Sequence, residues 1–243
     1  MNITKQTALV TGANKGIGFE AARQLAQRGY TVWLGCRDQE RGESAVKELA
    51  DDGDVRFVSL DVTDAASVAA AAAHIAAESD ALDVLVNNAA IAPGEGEGRP
   101  SAVRPETIHR ALDVNVYGAL RVTQAFLPLV RKARAGRIVN VSTTLGSITA
   151  LTSPGSPLAH IPAFAYPASK TLLNALTGWL AVELSGTPLK VNSVCPGINA
   201  TDLNPTPGAQ HPSEGAKVVV RAATLKADGP TGTFFDVNGP VSW

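Results

Sequence analysis

The sequence predicts one α/β domain: a doubly wound parallel sheet of about seven strands with helices on both faces. Three observations carry that expectation. Short apolar runs alternate with longer helical patterns along the whole chain, which is the rhythm of βαβ crossovers. The runs are nearly continuous in apolar residues, as strands covered on both faces should be. No composition shift or linker divides the 243 residues, and that length suits a single α/β domain.

Taken in order, residues 7–11 (TALVT) read as the first strand and 16–28 as the first helix. Residues 31–36 (TVWLGC) form a second strand, followed by a helix to about residue 50. A third strand is expected at 55–60. The alanine-rich stretch at 64–79 reads as a helix, because alanine is the best helix former and its small side chain lets a helix sit close to a sheet. A fourth strand follows at 82–87 and a long helix at about 105–133. Residues 137–142 and 190–195 are the fifth and sixth strands, with a helix at 166–185 between them. Residues 231–237 read as a last strand. Three loops, at about 91–105, 143–165 and 198–213, fall after strand ends, where an open α/β sheet builds its ligand crevice. The first of these, rich in Gly, Pro and Glu, reads equally well as a solvated surface loop.

Composition narrows the function classes. Hydrophobic residues make up 45% and charged residues 18%, which excludes a disordered chain. The net charge of -1 offers no basic surplus for a nucleic-acid backbone. No apolar run reaches the ~20 residues that cross a bilayer, and the first residues lead straight into a strand with no signal peptide expected. The two cysteines, Cys36 and Cys195, sit in apolar runs and read as buried thiols of a cytoplasmic protein. The four histidines are scattered and no metal site is expected.

The first strand runs into Thr11-Gly12-Ala13-Asn14-Lys15-Gly16-Ile17-Gly18 and then a helix. Glycines there permit a tight turn and close backbone approach to a ligand. The helix start behind them offers free N–H groups to a pyrophosphate. This is the start of a Rossmann-type dinucleotide site. NAD sites usually place an acid at the end of the second strand. Here that strand ends Gly35-Cys36-Arg37-Asp38. Arg37 brings a planar cation suited to phosphate, and Lys15 adds a second positive charge, so NADP is favoured over NAD. Asp38 reads as the cap of the next helix.

Tyr166-Pro167-Ala168-Ser169-Lys170 opens a predicted helix, and a spacing of four puts the phenol and the ammonium on one face. A phenol has a pKa of about 10, and lowering it to about 7 takes roughly 4 kcal/mol. A neighbouring lysine supplies part of that, and a cationic nicotinamide ring the rest.

These motifs, with Asn87-Asn88-Ala89-Ala90, Asn115, residues 139–143, and Pro196-Gly197 with Thr201, occur in an order and spacing that resembles the short-chain dehydrogenase/reductase family over essentially the whole chain. The resemblance is closest to NADPH-dependent carbonyl reductases. It implies Tyr166 as the acid that protonates a carbonyl oxygen. Lys170 would hold the nicotinamide ribose and lower the tyrosine pKa, and Asn115 would bind a water linking Lys170 to solvent. Gly12, Asn14, Lys15, Gly16, Ile17 and Gly18 would cradle the pyrophosphate. Asp61 and Val62 would flank the adenine, and Asn88 and Ala89 would back the cofactor. Pro196, Gly197, Asn199 and Thr201 would hold the nicotinamide.

Two departures from the family pattern stand out. The family's serine falls on Thr143, with Ser142 as the alternative if the strand end shifts by one residue. Neighbouring strand residues face opposite ways, so one of the two is expected to reach the substrate. The stretch from Thr143 to Tyr166 is also longer than usual. In many family members the catalytic helix packs against its copy, and the extra residues would block that contact and favour a monomer, although a dimer stays open. The segment 202–212 is short where the family carries a lid, which implies an open pocket. Leu145, Leu151, Leu158, Ile161, Phe164, Leu203 and Trp243 are candidates for an apolar rim. The expected activity is NADPH-dependent reduction of ketones or aldehydes, a small-molecule carbonyl being the partner. The alternatives are an alcohol, sugar or steroid dehydrogenase working oxidatively with NAD, and a catalytically weak nucleotide-binding protein.

Overall fold

Seven strands pair in parallel in the order β3-β2-β1-β4-β5-β6-β7. They are β1 (Thr7–Thr11), β2 (Thr31–Cys36), β3 (Val55–Ser59), β4 (Val84–Asn87), β5 (Arg137–Val141), β6 (Lys190–Val194) and β7 (Thr233–Phe235). The computed structural model describes residues 5–204 and 208–243. The first residues, on which the reading of an absent leader rests, and residues 205–207 of the short lid segment lie outside the described residues. Strand order reverses between β1 and β4, the switch point beyond which a crevice opens at the strand C-termini.

The helices are α1 (Gly16–Ala26), α2 (Gln39–Glu48), α3 (Ala65–Glu78), α4 (Pro105–Leu112), α5 (Ala119–Val130), α6 (Ile148–Thr152), α7 (Ala165–Glu183) and α8 (Pro212–Ala223). Successive strand residues point to opposite faces, and that period divides the core. Ala8, Val10, Val84 and Val86 pack with α1, α2 and α8. Leu9, Leu85 and Ile138 pack with α3, α5 and α7. Asp38 caps α2 by accepting from the Arg41 N–H, as expected, and Asp64 caps α3 in the same way through the Ala66 N–H.

Three differences from the sequence reading have physical causes. The helix expected at 105–133 is broken by a π-helical turn, Asp113–Gly118, which carries Asn115. Gly118 permits this turn to approach Val62, whose Cγ2 would stand 2.8 Å from a Cβ added there. The 143–162 stretch is structured without being periodic. It holds a 3-10 turn (Thr144–Gly146), α6, and a second 3-10 turn (Pro157–His160), each started by a hydroxyl cap from Thr143, Ser147 or Ser156. The third is α8, the crossover that the parallel β6–β7 pair requires.

The insertion does not cover α7. Its Thr149 N–H donates to the carbonyl oxygen of Trp243, whose ring stacks on Phe234. Trp179 and Val182 on α7 remain 75% and 65% exposed, contrary to the expectation that the extra residues would block that face. Among the described residues no helix is long and apolar enough to cross a membrane, and no group of three His, Cys, Asp or Glu side chains clusters to hold a metal ion.

Candidate active site

The strand C-termini open into a cleft of about 970 Å³. Every residue expected in the site lines it except Gly18 and Asn115. Both stand behind it for packing reasons. A Cβ on Gly18 would meet Asn88 Nδ2 at 2.3 Å, so the glycine lets α1 close onto the end of β4. Asn115 clamps Ile91: its Oδ1 accepts from the Ile91 N–H (2.8 Å), and its Nδ2 donates to the Ile91 carbonyl (2.9 Å) and to Ser169 Oγ (2.9 Å). Both side-chain amide N–H groups are spent on protein.

At the β1 end, Gly12 and Gly16 both have φ +62, a conformation that favours glycine. A Cβ on Gly12 would stand 2.9 Å from Ala89 Cα. Thr11 Oγ1 accepts from the N–H groups of Asn88 and Ala89, and Asn88 Nδ2 donates to the carbonyls of Thr11 and Gly12. The loop is thereby bolted to β4. Lys15 stands at the N-terminal boundary of α1 in extended conformation and makes no side-chain cap hydrogen bond, leaving first-turn N–H groups on cleft-lining Gly16 and Ile17 for an anion. The glycine cradle and open helix start suit a dinucleotide.

Lys15 Nζ is ion-paired with the exposed Asp202. Arg37, exposed at the end of β2, makes no ion pair among the described residues and borders the cleft. Burial pushes the Cys36 thiol up. Burial also works against Asp61 ionising, but donors from the Thr63 N–H and hydroxyl outweigh it and hold the carboxyl low. One Asp61 oxygen is therefore already committed to the chain.

At the other end, Lys170 is fully buried and donates from Nζ to the Val141 carbonyl at 2.7 Å. Desolvation lowers its pKa to about 8. The Tyr166 ring centroid lies 5.8 Å from that nitrogen. Burial raises the Tyr166 phenol above its ordinary value. A Cβ on Gly146 would stand 2.8 Å from the Lys170 backbone, so only glycine lets the 144–146 turn sit against α7.

Both hydroxyls after β5 line the cleft, where one was expected. The Ser142 N–H extends the ladder to Val194, and its Oγ is buried with no hydrogen-bond partner among the described residues. Thr143 is half-buried, and its Oγ1 accepts from the Leu145 N–H at 3.3 Å, leaving its O–H free to donate. Pro196, Gly197, Asn199 and Thr201 form one wall. Asn199 Nδ2 donates to the carbonyls of Pro196 and Gly197, and Gln210 Nε2 donates to Pro196 as well. Gln210 was not foreseen, nor was Glu97, whose carboxylate accepts from the backbone N–H groups of Phe164, Ala165 and Tyr166. No local pattern announces contacts across such sequence separations. Of the expected rim, Leu145, Leu158, Ile161 and Leu203 line the cleft. Leu151, Phe164 and Trp243 do not, and Ile91 and Ile198 do.

Known proteins share this architecture. The family described as short chain dehydrogenase matches residues 6–211. Salutaridine reductase of Papaver bracteatum is 36% identical, covering 96% of this chain and 95% of its own. A (+)-neomenthol dehydrogenase of Capsicum annuum is 30% identical, covering 94% of both. Among solved structures, NADPH-bound carbonyl reductase from chicken fatty liver superposes with a TM-score of 0.86 at 27% identity, covering 98% of this chain and 99% of that one. The glycine loop, the parallel sheet and the tyrosine–lysine helix therefore have one common origin: the chain belongs to the short-chain dehydrogenase family.

Proposed function

We propose that this oxidoreductase is an NADPH-dependent carbonyl reductase that converts ketones or aldehydes to alcohols, with Tyr166 as the general acid. The observation that carries the reading is the placing of Tyr166 one helical turn from a buried lysine, in the same cleft as a glycine-rich cradle suited to a dinucleotide. Gly12, Gly16 and the first turn of α1 would hold the pyrophosphate, and Arg37 the ribose phosphate that distinguishes NADPH from NADH. Lys170 would hold the nicotinamide ribose, with Pro196, Gly197 and Thr201 against the nicotinamide. When bound, that cofactor supplies the hydride.

The tyrosine's part follows from its environment. Burial keeps the phenol protonated across the neutral range, so it stands ready to give its proton to a carbonyl oxygen as negative charge develops there. Thr143 donates a second hydrogen bond to the same oxygen. Lys170, with a pKa of about 8, exchanges protons near neutral pH and is suited to restoring the phenol. The substrate end would be bordered by Ile91, Leu145, Leu158, Ile161, Ile198 and Leu203, an apolar rim that favours bulky apolar ketones. Relatives named for reducing salutaridine and isopiperitenone point the same way. Two buried free thiols fit a cytoplasmic setting. The test is consumption of NADPH against a panel of aryl, cyclic and aliphatic ketones and aldehydes. Turnover of none of them, with NADPH binding intact, defeats the reading.

A further inference from the structure

We infer that Glu97, in the loop between β4 and α4, is a positioning residue for Tyr166: its carboxylate caps α7 and fixes how the phenol is presented to the cleft. The inference rests on the reading of Tyr166 as proton donor.

Helix α7 begins without a cap of its own. Phe164, at its N-terminal boundary, makes no side-chain cap hydrogen bond. The first-turn donors go to Glu97 instead: Oε1 accepts from Phe164 N–H and Ala165 N–H at 2.8 Å each, and Oε2 from Tyr166 N–H at 3.0 Å. Pro167 has no N–H, and Ala168 N–H already reaches the Phe164 carbonyl. One carboxylate therefore accounts for every donor that the helix start leaves open. Its negative charge also complements the positive end of the helix dipole. Burial opposes the charge, but four N–H donors, the fourth from Gly98, hold the carboxyl below its usual range.

The carboxylate is itself held from a firm base. The Glu97 N–H donates to the Gly94 carbonyl, and the Arg104 N–H to the Gly96 carbonyl. Thr107 Oγ1, on α4, donates to the Glu95 carbonyl. Gly96 has φ +75, and a Cβ there would meet Thr107 Oγ1 at 2.4 Å. The loop is folded onto α4, and its one inward carboxylate bridges to the catalytic helix. Helices α2, α3, α6 and α8 take their side-chain caps from the adjoining residue. Among the described residues, α7 alone is capped by a side chain distant in sequence. Tyr166 is the second residue of that helix and bonds the carboxylate through its own N–H, so any slip of the first turn moves the phenol directly.

Glu97→Gln separates positioning from general stability. The amide oxygen can still accept from Phe164 and Ala165, but the amide N–H₂ then faces the Tyr166 N–H. With the full chain, NADPH and the ketone it reduces best, kcat is expected to fall about tenfold or more, since small misplacements of a reacting group are costly. KM for the ketone and Kd for NADPH should change by less than about twofold. Hydrogen exchange at the Ala165 and Tyr166 amides should accelerate. Glu95→Gln, in the same loop with its carboxylate exposed and paired with Arg104, should leave all of these unchanged. An unaltered kcat in Glu97→Gln, a matching loss of NADPH affinity, or the same effect from Glu95→Gln overturns the assignment. So does rapid exchange of those two amides in the unaltered chain, whichever variants fold. A chain that reduces no ketone defeats the proposed function, and the exchange measurements then still decide whether the clamp exists.

Discussion

The ammonium of Lys170 is buried against the Val141 carbonyl at 2.7 Å with no carboxylate beside it. Desolvating a charge without an anionic partner destabilises the fold. Here the buried charge lies at the base of the cleft, beside the ring of Tyr166.

Lys170→Met should therefore separate stability from activity. The pKa falls from 10.5 to about 8 on folding, a cost on the order of 3 kcal/mol at neutral pH, offset in part by the Val141 bond. Because the folded pKa is the lower one, the cost is complete below pH 8 and fades as pH rises toward the unfolded value. The variant should melt no lower than the parent at pH 7, and its advantage should shrink above pH 9. Turnover should be lost. A variant that melts several degrees lower at pH 7 would contradict the buried-charge account.

Thr143→Ala and Ser142→Ala should behave differently. Thr143 keeps a free hydroxyl proton at the cleft, so its loss should lower kcat about tenfold to a hundredfold. Ser142 Oγ is buried without a partner among the described residues, so its removal should leave kcat nearly unchanged. A large kcat loss in Ser142→Ala alone would give Ser142 the catalytic hydroxyl.

Arg37→Ala should weaken NADPH binding about tenfold while leaving NADH binding unchanged, because a guanidinium–phosphate pair is the stronger kind of hydrogen bond. Lys15→Ala should cost less, since its ammonium is already paired with Asp202. Equal losses for both cofactors in Arg37→Ala would remove the argument for NADPH. Titration of cofactor fluorescence reads all three.

Much of this molecule was legible before its structure. The strands were, because residues buried on both faces leave continuous apolar runs such as TALVT and TVWLGC. The glycine loop and the Tyr166–Lys170 turn were, because their chemistry depends on fixed local spacing. What escaped depends on distant partners. Glu97 and Gln210 act across the fold on α7 and on the Pro196 loop. The π-helical turn at Asn115 is set by contacts with Ile91 and Ser169. The Val218-Val219-Val220 run favours a strand by propensity, yet it packs as α8 with the β1 and α1 core.

The most direct test is the initial rate of NADPH oxidation with a ketone panel, measured for the parent chain and for Tyr166→Phe. The account predicts turnover of several apolar ketones by the parent. It also predicts a kcat lower by about a hundredfold or more in the variant, with NADPH affinity unchanged. Comparable turnover by Tyr166→Phe would contradict the assignment of Tyr166 as the acid.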